Sequence, residues 1–116
     1  MLFKKKTDEA AQKKIAKSAS SPQERMRAVA GIMDQKFLFE VAVNDNDFGV
    51  SKAAVEQLTN QSYLTAIGRD NAACDWRCRK AAIARMTDKA ALQYIIDREK
   101  ELTINSAAKD RMRELS

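Results

Sequence analysis

Apolar residues recur along the chain at helical spacing. Val29/Ile32, Phe37/Leu38/Val41, Ala54/Leu58, Leu64/Ile67, Ala82/Met86 and Leu92/Ile95 each fall three or four positions apart with polar residues between them, so each set marks one face of a helix. The segments are short, about ten to twelve residues, a length that is marginal for an isolated helix in water. Their stability must therefore come from stacking the apolar stripes, and each large side chain buried that way contributes about 1.5–3 kcal/mol. Ser21-Pro22-Gln23-Glu24 forms a capping-box pattern with proline at the first helical position. Asp47 and Asp75 are natural N-caps, and Thr59-Asn60 and Thr87-Asp88 restart the chain into the helices that follow.

The pattern repeats. Aligning Asp47–Gly68 with Asp75–Ile96 pairs seven identical residues: Asp47/Asp75, Lys52/Lys80, Ala53/Ala81, Ala54/Ala82, Thr59/Thr87, Leu64/Leu92 and Ile67/Ile95. Phe48/Trp76, Val55/Ile83 and Leu58/Met86 are conservative pairs. An earlier copy sets Ala28, Val29, Ile32, Gln35 and Leu38 against Ala54, Val55, Leu58, Gln61 and Leu64, and a half copy sets Ala107, Ala108 and Met112 against Ala81, Ala82 and Met86. Self-similarity at this period implies stacked helical units, none of which can bury its apolar side alone.

The run from Asn44 to Leu58, Asn-Asp-Asn-Asp-Phe-Gly-Val-Ser-Lys-Ala-Ala-Val-Glu-Gln-Leu, resembles the HEAT-like repeat signature, in which an Asp-containing turn leads to a Val-Arg pair, then paired alanines and a leucine. The next unit is similar, with Cys78-Arg79 in place of Val-Arg and Ala81-Ala82 behind it. Ser51 stands where that pattern has arginine, and the first unit lacks the acidic turn. The resemblance spans roughly residues 22 to 112 and implies an all-α fold, a short right-handed α-α superhelix of about three helical hairpins plus terminal helices. On this reading residues 21–116 form the repeat domain and residues 1–20 a basic amino-terminal arm or capping helix. Proteins of this kind are mostly scaffolds and adaptors, with some enzymes and nucleic-acid binders among them, so the motif specifies fold rather than function.

Composition agrees with helix: there are three glycines and one proline in 116 residues. The net charge of +5 lies wholly in residues 1–27, which hold eight Lys or Arg against three Asp or Glu. No segment has the roughly 20 apolar residues of a membrane span or the apolar run of a secretory signal, so a cytoplasmic location is the default expectation. Histidine is absent, which removes the commonest general base and metal ligand. The carboxylates are accounted for as helix caps and solvated charges, and the glycines form no phosphate loop, so a non-catalytic protein without cofactor or metal is expected. Cys74 and Cys78, four apart, are expected to be reduced thiols, Cys78 as a small buried hydrophobe and Cys74 as the more reactive.

Two binding readings follow. The outward columns of the second helices are Phe39/Thr65/Gln93, Glu40/Ala66/Tyr94 and Val43/Arg69/Asp97. Phe39 and Val43 are apolar where the sister units are polar. They mark either a patch for a partner helix or peptide, or a surface covered by the amino-terminal segment through Ala11, Ile15 and Ala16. Phe39, Val43, Ala66, Arg69 and Tyr94 are the candidate contacts of an adaptor for a protein or peptide partner. The alternative is non-specific nucleic-acid binding through Lys4, Lys5, Lys6, Arg77, Arg79, Lys80 and Arg85, a basic set without interleaved aromatic residues. Trp76, aligned with Phe48, is expected to pack between units, and its exposure would turn it into a binding residue instead.

Overall fold

The computed structural model describes residues 5–69 and 74–116, and these are all-helical. The helices are α1 (Lys5–Ser18), α2 (Pro22–Val29), α3 (Gln35–Asn44), α4 (Phe48–Gln57), α5 (Gln61–Arg69), α6 (Trp76–Ile83), α7 (Lys89–Arg98) and α8 (Leu102–Leu115). Side-chain caps set most of their beginnings. Ser21 accepts from the Glu24 N–H, Asp47 from Val50 and Asp75 from Arg77, at the three positions anticipated as caps. Asp34, Asn60, Asp88 and Glu101 do the same for α3, α5, α7 and α8.

The helices form two layers in a body 46 × 28 × 17 Å. In one layer α2, α4, α6 and α8 pack each on the next, and α1, α3, α5 and α7 lie on the other side. The core runs between them, with Val29, Ile32, Leu38, Val55, Leu58, Leu64, Ile67, Ile83, Met86 and Leu92 fully buried. The two aligned stretches, 47–68 and 75–96, take the same helix-turn-helix form.

The division into hairpins differs from expectation. The consecutive helices that pack closely are α1–α2, α3–α4, α5–α6 and α7–α8, whereas α2–α3, α4–α5 and α6–α7 make almost no contact. Tight partners therefore straddle the sequence units, because an alignment offset gives the length of a repeat but leaves its phase undefined. In this phase α1 is the first helix of a pair, packed on α2 and α3 and contributing Ala16 to the core.

Polar bonds stitch the layers at matching alignment positions. The fourth residues of α2, α4, α6 and α8 are Arg25, Ser51, Arg79 and Asn105. Arg25 grips both oxygens of Asp45 at 3.0 and 3.3 Å, and the Ser51 hydroxyl donates to the Asp45 carbonyl. Arg79 donates to the Gly68 carbonyl at 2.9 Å and to Glu99 at 2.6 Å, and Asn105 donates to the carbonyls of Ile96 and Glu99. A second series holds the linkers. Glu9 accepts from the backbone N–H groups of Met33 and Asp34, Gln35 from those of Thr59 and Asn60, and Gln61 from that of Thr87. In a third, Gln57, Arg85 and Arg111 donate to the carbonyls of Ala30, Leu58 and Met86. The bonds of the second and third series satisfy backbone groups left over at or beside helix ends, where an unpaired group would cost stability.

Candidate functional site

The α5–α7 side carries three of the residues proposed for partner contact. Ala66, Arg69 and Tyr94 line an open groove of ≈ 590 Å³ together with Ser62, Thr65 and Asp88. The Tyr94 ring is flanked by two guanidinium groups, Arg69 from α5 and Arg98 one turn along α7, each with its central carbon 4.0 Å from the ring centroid. Hydrogen bonding from Arg69, then the positive charge of Arg98 and Arg69, holds the Tyr94 hydroxyl below the usual phenol range. Arg98 was not among the anticipated contacts, although its spacing of four from Tyr94 on one helix points to it.

Phe39 and Val43 do not extend this groove as exposed residues. Both are half-buried against the core, and Phe39 stacks on Tyr63 of α5 with centroids 4.7 Å apart. Part of the cover over Phe39 thus comes from α5. Of the three residues expected to form that cover, Ala16 is buried in the core, Ala11 is exposed and Ile15 is 39% exposed. Contact between α1 and α3 instead places the Lys13 ammonium 5.6 Å from the Phe37 ring.

On the opposite layer Phe48 and Trp76 are 45% and 48% exposed, so Trp76 is not the buried bridge that its alignment suggested. The Arg77 guanidinium carbon sits 3.9 Å from the Phe48 centroid and 5.2 Å from that of Trp76, so one cation spans both rings. An apolar residue directly after an acidic cap recurs at Asp47-Phe48, Asp75-Trp76 and Glu101-Leu102, and all three are exposed. That dipeptide, repeated in register, is the sequence mark of this edge.

The basic set divides. Arg79 is only 5% exposed and is spent on Gly68 and Glu99, which removes it from any surface contact. Arg85 is half-buried and donates from two nitrogens to the Leu58 carbonyl. Lys80 is exposed, and Arg77 lies on the aromatic edge with Asp75 3.2 Å from its Nε. Lys4 lies outside the described residues, and Lys5 and Lys6 are placed as backbone in the first turn of α1.

Burial in the Arg79–Glu99 pair bears on the carboxylate. Desolvation alone would raise the Glu99 carboxyl, but bonds from Arg79 and from the Glu101 N–H outweigh it and hold the group below the ordinary carboxylate range. Cys78 is fully buried, like Val50 at the aligned position. Interaction with Cys74 and burial push its thiol up, which makes it a poor nucleophile. Cys74 is half-buried. Among the described residues no three His, Cys, Asp or Glu side chains gather as a metal site, and no helix is long and apolar enough to cross a membrane. The chain matches no protein-family model, no curated protein and no solved structure.

Proposed function

We propose that this chain is a non-catalytic, HEAT-like helical-repeat adaptor that holds a protein or peptide partner in the α5–α7 groove through Ala66, Arg69, Tyr94 and Arg98. The repeat reading is supported by the three series of interlocking bonds, which recur at the spacing of the sequence alignment. The observation that carries the binding reading is the exposed Tyr94 ring between two guanidinium groups beside the groove. Tyrosine and arginine are the residue types that concentrate binding energy at protein interfaces, and arginine held over a ring has already lost much of its freedom. A segment combining a carboxylate with an apolar side chain satisfies both.

A photoreactive amino acid in place of Ala66 tests the site, with Lys109 on α8 as the control position. Adducts with a discrete cellular protein are expected from position 66 and not from position 109, and Tyr94→Ala should reduce them at least roughly tenfold, as loss of a hot-spot side chain does. Equal labelling from both positions, or labelling indifferent to Tyr94→Ala, would remove the groove from the function.

A further inference from the structure

The α4–α6 edge belongs to the other layer and owes nothing to the reading above. It holds a shallow cleft of ≈ 490 Å³ lined by Phe48, Lys52, Trp76, Arg77 and Lys80, with Arg85 and Glu56 toward its end. Four cationic side chains thus stand beside two carboxylates, Glu56 in the lining and Asp75 3.2 Å from the Arg77 Nε. Lys52 lies 3.8 Å from Glu56, both well exposed, a weak pair that a competing anion displaces readily. Lys80 pairs with no carboxylate among the described residues. Two aromatic rings, each nearly half open to solvent, stand among these cations. Arg77 is held between the rings with the Asp75 carboxylate 3.2 Å from its buried Nε, so the guanidinium is fixed in place before any ligand arrives.

We infer that this edge binds single-stranded nucleic acid, with bases stacked on Trp76 and Phe48 and phosphates against Lys80, Lys52 and Arg77. Exposed rings interleaved with cations suit a chain that alternates flat bases with negative charges, since every base has a face to stack and every linkage an anion to pair. A duplex keeps its base faces inside the helix and offers the rings nothing. An acidic polypeptide would engage the lysines but leaves two flat apolar surfaces without a matching partner. The site enlarges on the basic character of the chain by supplying the aromatic platforms that the sequence pattern lacks around its lysines.

Trp76 is the only tryptophan, so its fluorescence reports on this edge directly. Oligothymidylate of about twelve nucleotides is expected to quench it, with binding that weakens as salt rises, at a slope of roughly −0.7 for each phosphate engaged. Followed by anisotropy of a labelled oligonucleotide, Trp76→Ala should weaken binding roughly tenfold while Trp76→Phe, which keeps a stacking face, restores most of it. Lys80→Gln should make the salt slope shallower by about 0.7. Tyr94→Ala should leave all of this unchanged, so failure here and failure of the protein-partner reading are told apart. Circular dichroism on each variant separates lost binding from lost fold. The inference is overturned if an abasic phosphodiester of equal length binds as tightly as oligothymidylate, if Trp76 emission does not respond, or if nothing binds at low salt. It also fails if polyglutamate competes on equal terms, which would make the edge a site for acidic polypeptides.

Discussion

Helix α6 presents two faces that use the same chemistry to opposite ends. On the inner face Arg79, sealed between the layers, spends its donors on the Gly68 carbonyl and the Glu99 carboxylate. On the outer face Arg77, two residues earlier, lies over two rings with its charge only partly matched by Asp75. An arginine in this chain is structural when its fork is filled with backbone and carboxylate acceptors, and available when it rests on aromatic carbon. Residue type and net charge do not distinguish the two, but position within the helix does: the fourth residue points between the layers and the first two point out.

The inner face should be the costly one to disturb. Arg79→Ala strands Glu99 in a partly buried site and frees the Gly68 carbonyl, so a loss near the lower end of about 3–5 kcal/mol is expected in urea unfolding. A loss below about 1 kcal/mol would mean that water reaches this seam and that the two faces differ less than their exposure suggests.

Gly68, the acceptor on that seam, should come next. A Cβ added there would stand 2.7 Å from the Met86 Sδ and 3.2 Å from the Ile83 side chain, both in the core. Gly68→Ala should therefore destabilise by about 1–3 kcal/mol through overpacking, despite the better helix propensity of alanine. Relief by a second change, Met86→Ala, in a double-mutant cycle would identify the clash as the cause.

A subtler difference should appear with acid. Because the native Glu99 carboxyl titrates below its ordinary value of 4.5, the folded state binds that proton more weakly than the unfolded chain. The stability this group contributes is thus fully present above that ordinary value and is lost as pH falls through the lowered native one. The gap between the parent protein and Glu99→Gln, wide at neutral pH, should narrow as the solution is acidified below 4.5; a gap independent of pH would show that Glu99 acts by shape and not by charge. On the outer face Trp76→Ala should shift stability by no more than about 0.5 kcal/mol, the size of an exposed substitution, even where it weakens binding roughly tenfold.

Much of the architecture was legible in the sequence, and the parts that were not have physical reasons. The caps at Ser21, Asp47 and Asp75 were visible because a short acceptor side chain ahead of an apolar run has one local use. The buried stripes followed from periodicity. Which helices pair was hidden, since identical offsets describe α4–α5 and α5–α6 equally well. The seam was half visible: Arg79 stood at the arginine position of the HEAT-like signature, yet its charge also recommended it for a basic surface, and only burial decides between those uses. Trp76 and Phe48 were aligned correctly and assigned the wrong environment, because apolar character alone does not say whether the first residue of a helix turns inward. The Tyr94 cluster draws Arg69 and Arg98 from different helices, a meeting that sequence distance conceals.

The side chains that accept from each linker's N–H groups come from the neighbouring unit on its amino-terminal side: Glu9 holds the turn at Met33–Asp34, Gln35 the turn at Thr59–Asn60, and Gln61 the turn at Thr87. None of these bonds spans more than 26 positions. A nascent polypeptide leaving the ribosome therefore meets the acceptor for each linker's N–H groups already in place, while each linker's carbonyl waits only for the unit that follows it, so the fold can grow unit by unit.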